Sequence, residues 1–317
     1  MTIFAATTDA IERAAGVIRG GGIVAMPTET VYGLAGDATN GRAVASVYAA
    51  KGRPSFNPLI VHVGTIAAAR TVADLGETGE QLAAAFWPGP LTLVARARPG
   101  NGIASLVTAG LETVAVRVPG HGVAQALLAA CGCPLAAPSA NTSGRISPTT
   151  AQHVAADFGD RLGMILDGGA CGHGLESTIV DVSGDGVALL RPGAIAADEI
   201  ERVAGFALAR RAVDKSAPSA PGQLASHYAP RAGVRLGARS VEPGEALLAF
   251  GSDVPETAGP VFNLSVTGDL VEAAQNLFAA LHALDVSGAQ TIAVMPVPAE
   301  GLGEAINDRL ARAAAPR

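Results

Sequence analysis

Cationic side chains suited to binding phosphate lie close together in the stretch "KGRPSFNPL". Lys51 and Arg53 are two residues apart, and Asn57 follows just before the next predicted strand. A lysine offers a compact charge and an arginine offers a bidentate fork, and both fit phosphate oxygens. Alternatively, these cations only stabilise the C-terminus of the preceding helix. Lys51 stands out because it and Lys215 are the only lysines among 22 basic residues.

Two further arginines occur in predicted apolar strands. Arg117 lies in "ETVAVRVP", and Arg191 ends "VALLRPG". Burying an arginine is costly unless it meets an anion, so Arg117 is a predicted anion-binding group. Thr113 lies four residues before Arg117 on the same face of that strand. Ser177 begins another predicted strand, "STIVD".

Hydroxyl and amide side chains are dense in the stretch "APSANTSGRISPTT". Together with backbone N–H groups at a helix start they could form an anion or phosphate site. The alternative is a capped loop without a ligand, although one cap needs fewer donors. The candidate hydroxyl and amide donors of this stretch are Ser139, Asn141, Ser143, Ser147, Thr149 and Thr150.

A polar loop follows the first buried strand, in "MPTETVYGLAGDA". Thr28, Glu29 and Thr30 are equally compatible with a capped loop and with one wall of a small polar pocket. In "PLIVHV", His62 lies on an otherwise apolar strand, where a histidine is more often a core residue. Its closeness in sequence to the "KGR" cations favours a functional role.

The common motifs of other enzyme classes are absent from the sequence. It contains no GxxxxGK[ST] phosphate loop, no GxGxxG after a strand, no GxSxG elbow and no metal-ligand spacing. The remaining chemistry is the positioning of anionic groups by cations and backbone donors. That chemistry suits nucleotidyl transfer better than hydrolysis or redox chemistry.

The composition indicates a globular protein without a membrane span. The chain has 317 residues, is 49% hydrophobic and 16% charged, and carries a net charge of −6. No apolar run approaches about 18 residues, and the N-terminus does not resemble a signal peptide. Three cysteines are too few for a disulfide framework, so we expect reduced thiols and a cytoplasmic location.

Predicted helices and strands alternate through the first 200 residues, which indicates an α/β domain with a mixed sheet. Residues 207–232 are rich in proline and lack periodicity, so they are predicted to form a linker. Strand and helix signals then resume, and they predict a smaller βαβ, Rossmann-like domain. The predicted domains are therefore 1–206 and 233–317, joined by the linker 207–232.

Seven motifs occur in the order typical of the YrdC-like family, across residues 8–205. They are "PTETVYGL", "KGRPSFNPL", "WPGPLT", "RVPGH", "APSANTSGRISPT", "STIVD" and "RPG". "SHYAP" and "GLGEAINDRLARAA" resemble the linker and the ending of the long, two-domain form of this family. The resemblance implies a twisted mixed sheet around a concave, electropositive cavity. It also implies synthesis of threonylcarbamoyl-adenylate from L-threonine, bicarbonate and ATP, with release of pyrophosphate.

The resemblance also assigns residues. The family's KxR motif falls on Lys51 and Arg53, which are the expected catalytic residues. The residues expected to hold threonine are Thr30, His62, Thr113, Arg117 and Ser177. Those expected to hold ATP are Lys51, Arg53, Asn57, Ala137, Ser139, Asn141, Ser147, Arg191, His227 and Tyr228, the last two folding back over the cavity from the linker. Glu29 has no assigned role: it either orders its loop or orients the attacking amine.

The expected cofactor is Mg²⁺ carried by ATP, with no metal site on the protein and no tightly bound organic cofactor. The expected consumer of the product is a tRNA threonylcarbamoyl transferase complex, with at most weak direct tRNA contact and no membrane contact. Two alternatives are a carbamoyl-transfer maturation factor and a non-catalytic RNA-binding or ribosome-associated module. A maturation factor of the first kind would carry acylphosphatase and zinc-finger segments, which this sequence lacks. The net charge of −6 argues against the second alternative, because RNA-binding modules are usually basic.

Overall fold

The computed structural model describes residues 2–210 and 226–316. Ten helices occur in this part of the chain, together with a 3-10 turn at Gly159–Arg161. The helices are α1 (Thr8–Arg19), α2 (Gly41–Lys51), α3 (Ile66–Val72), α4 (Gly76–Phe86), α5 (Ser105–Thr108), α6 (Gly122–Cys131), α7 (Ala151–Phe158), α8 (Ala197–Ala204), α9 (Leu270–Asp285) and α10 (Gly303–Ala314). None of the helices in the described ranges is long and apolar enough to cross a membrane.

A large mixed sheet contains the first twelve strands, in the order β1-β9-β2-β3-β8-β4-β7-β6-β10-β11-β12, with β5 paired to β6. The strands are β1 (Thr2–Ala5), β2 (Val24–Met26), β3 (Gly33–Asp37), β4 (Ile60–His62), β5 (Ala73–Asp74), β6 (Leu91–Ala97), β7 (Thr113–Arg117), β8 (Leu135–Ala136), β9 (Met164–Asp167), β10 (Thr178–Asp181), β11 (Ala188–Arg191) and β12 (Ala209–Arg210). Parallel and antiparallel pairs both occur, which confirms the predicted fold class.

The polar loop after β2 connects the two strands of a β-hairpin, β2 and β3. The sequence pattern did not predict the second of these strands. Strand β3 returns antiparallel to β2, with Met26 opposite Gly33. The loop is closed by the Thr28 hydroxyl, which donates to the carbonyl of Val31 (2.6 Å) and accepts from the N–H groups of Thr30 and Val31 (3.2 Å each). Strand β3 has the sequence Gly-Leu-Ala-Gly-Asp, and glycine is unfavourable within strands, so the sequence does not show a strand pattern here.

Three adjacent strands bring site residues from distant parts of the sequence together. Strand β4 runs parallel to β7, and the register places His62 beside Arg117. Strand β8 pairs antiparallel with β4 and leads into Ala137 and Ser139, and Ser139 forms an isolated bridge with Gly33. The hairpin, β4, β7 and the segment after β8 therefore meet at one place.

The C-terminal part forms a second, fully parallel sheet in the order β13-β16-β14-β15. Its strands are β13 (Gly233–Leu236), β14 (Glu245–Ala249), β15 (Val261–Asn263) and β16 (Thr291–Val294). This confirms the predicted small βαβ unit, although the edge strands β13 and β15 were not predicted. The exact domain boundaries stay predictions, since residues 211–225 of the predicted linker lie outside the described residues.

One hydrophobic cluster contains residues of both domains, the one with the large sheet and the C-terminal one. Val31 and Leu175 of the first domain belong to the same cluster as Leu277 and Phe278 of α9, and Tyr228 is also a member. The C-terminal domain is therefore packed against the region that contains the predicted site.

Candidate active site

A small cavity, with a volume of about 50 Å³, lies over one face of the large sheet. Ile60 and His62 both line it, because alternate residues of a strand point to the same side. Ten of the predicted site residues meet in its wall, although they come from nearly 200 residues of sequence. They are Thr30, Arg53, His62, Arg117, Ala137, Ser139, Ser177, Arg191, His227 and Tyr228.

At one end of the cavity, Arg117 is held in place by three hydrogen bonds. Its Nε donates to the Gly89 carbonyl (3.1 Å), Nη1 to the Thr30 hydroxyl (3.0 Å) and Nη2 to Glu29 Oε1 (2.5 Å). A guanidinium has five N–H groups, so within the described chain two remain for a ligand. Burial alone would raise the pKa of Glu29, but the adjacent Arg117 charge and the Gly120 backbone lower it to about 2. Glu29 is therefore a permanent counter-ion that orients Arg117.

His62 presents a neutral imidazole to the same end of the cavity. Burial, together with the Arg117 charge, lowers its pKa to about 3. Its Nδ1 lies 3.3 Å from the Ile60 carbonyl, which can only accept, so this contact favours the tautomer with the proton on Nδ1. In that tautomer the other ring nitrogen, Nε2, is a hydrogen-bond acceptor.

Two buried arginines supply positive charge to other parts of the wall. Arg53 donates to Asn57 Oδ1 (2.6 Å) and to the Pro58 carbonyl (2.8 Å) through Nη2, and to the Asn57 carbonyl (3.1 Å) through Nε. Arg191 Nη2 donates to the carbonyl of Ser177 (2.8 Å). Burial lowers the pKa of Arg53 to about 10 and also lowers that of Arg191. Arg53 thus stays protonated at neutral pH.

The structure places Lys51 behind the wall, which differs from its predicted contact with phosphate. Its Nζ donates to the Ser139 carbonyl (2.5 Å) and to the Asn141 carbonyl, and the side chain is almost fully buried. Burial and the nearby Arg53 hold the pKa of Lys51 well below its usual value. Lys51 therefore fixes the loop that carries Ser139.

Three other predicted residues also lie one contact behind the wall. Asn57 holds Arg53, Asn141 donates to two carbonyls of its own loop, and Ser147 donates to Glu176 Oε1 (2.5 Å). Thr113 lies elsewhere. It shares a face with Arg117, but four strand residues put it about 13 Å away, and it lines a different groove. The structure therefore gives no support to the predicted threonine contact of Thr113.

The residues from the end of the linker form a cover over the cavity. His227 and Tyr228 are buried, and their rings meet edge to face at 4.1 Å. Tyr228 has a φ of 62°, a costly conformation for a bulky residue and one that clusters at ligand-binding segments. Burial lowers the pKa of His227 to about 3, so it is neutral at pH 7. Both residues line the cavity, and their contact with ATP stays a prediction.

Sequence reasoning missed two charged residues at the site. Glu176 lines the cavity, and Arg309 of α10 donates to its Oε2 through Nε (2.9 Å). Arg309 is completely buried in a helix that otherwise shows an ordinary amphipathic pattern. No local sequence signal marks it, since its partner is 133 residues away. Glu176 stands directly before the predicted Ser177 and could have been included on that basis.

All five buried polar side-chain atoms that lack a hydrogen-bond partner in the described chain belong to this region. Each is on a residue that lines the cavity or contacts one that does: Glu29 Oε2, Asn57 Nδ2, Asn141 Oδ1, His227 Nδ1 and Arg309 Nη2. Unpartnered buried polar atoms are rare in proteins and call for an explanation, such as a ligand.

The described residues contain no group of three or more His, Cys, Asp or Glu that could hold a metal ion. Among the described residues that line the cavity, Glu176 is the only carboxylate, and it is already bound by Ser147 and Arg309. The donor set therefore fits anionic ligands rather than a protein-bound cation.

The fold and cavity define an α/β protein with a cationic binding site for anionic small molecules. A family model for Sua5/YciO/YrdC proteins, described as "Telomere recombination", matches residues 16–193. A second model, "Threonylcarbamoyl-AMP synthase, C-terminal domain", matches residues 195–315. The chain belongs to the Sua5/YciO/YrdC family, in the two-domain form with this C-terminal domain.

Relatives of nearly equal length carry one name. The chain is 42% identical to the threonylcarbamoyl-AMP synthase of Pyrococcus abyssi, over 99% of this chain and 98% of that protein. It is 39% identical to the threonylcarbamoyl-AMP synthase of Bacillus subtilis, over 97% and 93%. The crystal structure of P. abyssi Sua5 complexed with L-threonine superposes with a TM-score of 0.90 at 38% identity, covering 99% of this chain and 98% of that one.

Proposed function

We propose that this protein is a threonylcarbamoyl-AMP synthase, and by reaction class a nucleotidyltransferase. The threonine amine attacks CO2, derived from bicarbonate, and loses a proton to give a carbamate. A carbamate oxygen then attacks the α-phosphorus of ATP, and pyrophosphate leaves. The products are threonylcarbamoyl-adenylate and pyrophosphate.

The observation that carries this proposal is that one cavity contains two separate cationic regions. Arg117 forms one of them, and Arg53 and Arg191 form the other. Arg117 has two N–H groups available beside the Thr30 hydroxyl and the neutral His62. A carboxylate, a hydroxyl and an amine can all be recognised there. Arg53 and Arg191 supply permanent charge elsewhere in the same wall, as a triphosphate requires.

In the proposed mechanism the protein acts by positioning and charge rather than by a covalent nucleophile. Arg117 binds the threonine carboxylate bidentately, and His62 Nε2 accepts from the substrate. Arg53 and Arg191 stabilise the negative charge that develops on the α-phosphoryl oxygens. His227 and Tyr228 exclude water, which protects the labile carbamate.

In this proposal Lys51, Asn57, Asn141 and Ser147 support the ATP-binding wall from behind. Ser139, Ser177 and the backbone of Ala137 contribute donors or acceptors within it. Mg²⁺ would enter with ATP and be held by phosphate oxygens, because the only lining carboxylate in the described chain is already paired. The ion would neutralise phosphate charge.

The product would be consumed by a tRNA threonylcarbamoyl transferase complex. No direct tRNA contact is required for the synthase reaction itself. Neither alternative function is favoured, because relatives that match almost the whole chain are named as the synthase.

The direct test is pyrophosphate release by the purified protein with ATP, omitting threonine or bicarbonate in turn. We expect sustained release only with all three substrates, and strong loss in Arg53→Met. The surface variant Arg70→Met, which removes an exposed ion pair with Glu80, is the matched control. Release that is independent of threonine would contradict the proposal.

A further inference from the structure

Four residues at the end of the linker are clamped between the two domains. The Ala229 N–H donates to the Gly144 carbonyl of the first domain (2.9 Å). On the other side, the His227 N–H donates to the carbonyl of Arg312 in α10 (3.3 Å), and the Ser226 hydroxyl reaches the Ala315 carbonyl (3.5 Å). The cover over the cavity is thus built partly on the C-terminal domain.

The Tyr228 ring is enclosed by side chains of that domain. Phe278 of α9 packs at 5.5 Å between ring centroids, and the Arg309 guanidinium lies 5.1 Å from the Tyr228 ring centre. A cation in this position is attracted to the ring, more strongly where water is excluded. These contacts help to hold Tyr228 in its unfavourable left-handed conformation.

The same guanidinium also binds the cavity wall. Arg309 Nε donates to Glu176 Oε2 (2.9 Å), while Nη1 donates to the neighbouring Asp308 (2.7 Å). Glu176 in turn accepts from Ser147 and adjoins Ser177. One fully buried side chain therefore contacts both the cover and the wall.

We propose that Arg309 is a positioning residue through which the C-terminal domain sets the closed form of the cavity. Its edge and its face have different tasks: the Nε–H group fixes Glu176, and the flat surface of the guanidinium fixes Tyr228. The inference deepens the proposed function, on which its kinetic consequence depends, because closure determines ATP affinity and water exclusion.

The first measurement needs no substrate: amide hydrogen exchange at residues 226–229 in the full-length protein. In Arg309→Met we expect exchange about tenfold faster or more at His227 and Ala229, because a hydrogen bond to a charged group and a stacking contact are lost. In Arg309→Lys the charge remains but the planar fork does not, so we expect an intermediate rate. Arg235→Met is the control, because its hydrogen bonds go to Glu245 and Ser240 of the same domain.

The second measurement is steady-state kinetics of the same variants. We expect the KM for ATP to rise about tenfold in Arg309→Met, with partial rescue in Arg309→Lys and wild-type values in Arg235→Met. Arg309→Met combined with Glu176→Gln removes both buried charges, so it keeps the fold testable if the single variant unfolds. Exchange in this double variant is still expected to be faster, because Tyr228 has lost its cation.

Unchanged exchange at 226–229 in Arg309→Met would overturn the inference. So would an equal acceleration over the whole C-terminal domain, which would mark Arg309 as only structural. If the wild-type protein makes no threonylcarbamoyl-adenylate, the proposed function fails, while the exchange data still decide whether Arg309 positions the cover.

Discussion

Replacing Arg117 with methionine separates two consequences of one buried ion pair. The Arg117 and Glu29 side chains are only 4% and 14% exposed, and they lie 2.5 Å apart. Arg117→Met leaves the Glu29 carboxylate buried without its counter-ion, which costs about 3–5 kcal/mol of unfolding free energy. It also removes the two N–H groups proposed for the threonine carboxylate. Two charge-assisted hydrogen bonds contribute at least about 3 kcal/mol, so the Kd for threonine should rise about 150-fold.

The double variant Arg117→Met/Glu29→Gln distinguishes these effects. With no charge left to bury, its stability should recover by about half or more of the loss. Its threonine affinity should stay as weak as that of the single variant. Chemical denaturation at pH 7.5 measures the first quantity, and titration calorimetry with L-threonine measures the second.

A surface pair provides the matched comparison. Arg70 and Glu80 are 55% and 36% exposed, so Arg70→Met should cost no more than about 1 kcal/mol and leave threonine binding unchanged. Recovery of threonine affinity in the double variant would refute the reasoning, because Glu29 rather than Arg117 would then control the ligand. So would a single variant that binds threonine like the wild type.

Lys51→Met should lower the free energy of unfolding by about 2 kcal/mol, because the Ser139 and Asn141 carbonyls lose their donor; an unchanged denaturation midpoint would contradict this. The pKa values of His62 and His227 are about 3 in the fold, so the unfolded chain binds the additional protons below about pH 6.5. The free energy of unfolding should therefore fall as the pH is lowered from about 6.5 to about 3, by on the order of 1 kcal/mol per pH unit for each histidine. His62→Gln should reduce this dependence of unfolding free energy on pH. An equal pH dependence in the wild type and the variant would argue against a buried neutral His62. Removing divalent cations with EDTA should stop synthesis without changing the melting temperature of the ligand-free protein, and a lower melting temperature would indicate a metal site on the protein.

The sequence predicted the fold class because its signals are local, whereas most of the cavity wall was predicted from the ordered family motifs. Alternating apolar runs marked β4, β6 and β7, and an arginine in an apolar strand marked Arg117 as unusual. The ordered motifs then named residues that are scattered in sequence, and ten of them meet in the cavity wall.

Long-range packing explains what the sequence did not predict. Strand β3 is stabilised by its neighbours β2 and β8 rather than by its own glycine-rich residues. The Lys51 side chain points into the protein interior because its Nζ donates to two backbone carbonyls there, those of Ser139 and Asn141. Arg309 becomes important only after the C-terminal domain docks beside Glu176, and no helix pattern reveals that contact.

The measurement that tests the central claim most directly is mass spectrometry of the product formed from ATP, L-threonine and ¹³C-bicarbonate. The proposed reaction predicts threonylcarbamoyl-AMP carrying one ¹³C atom, in equal amount to the pyrophosphate released. Pyrophosphate or ADP formation without the labelled adenylate would contradict it.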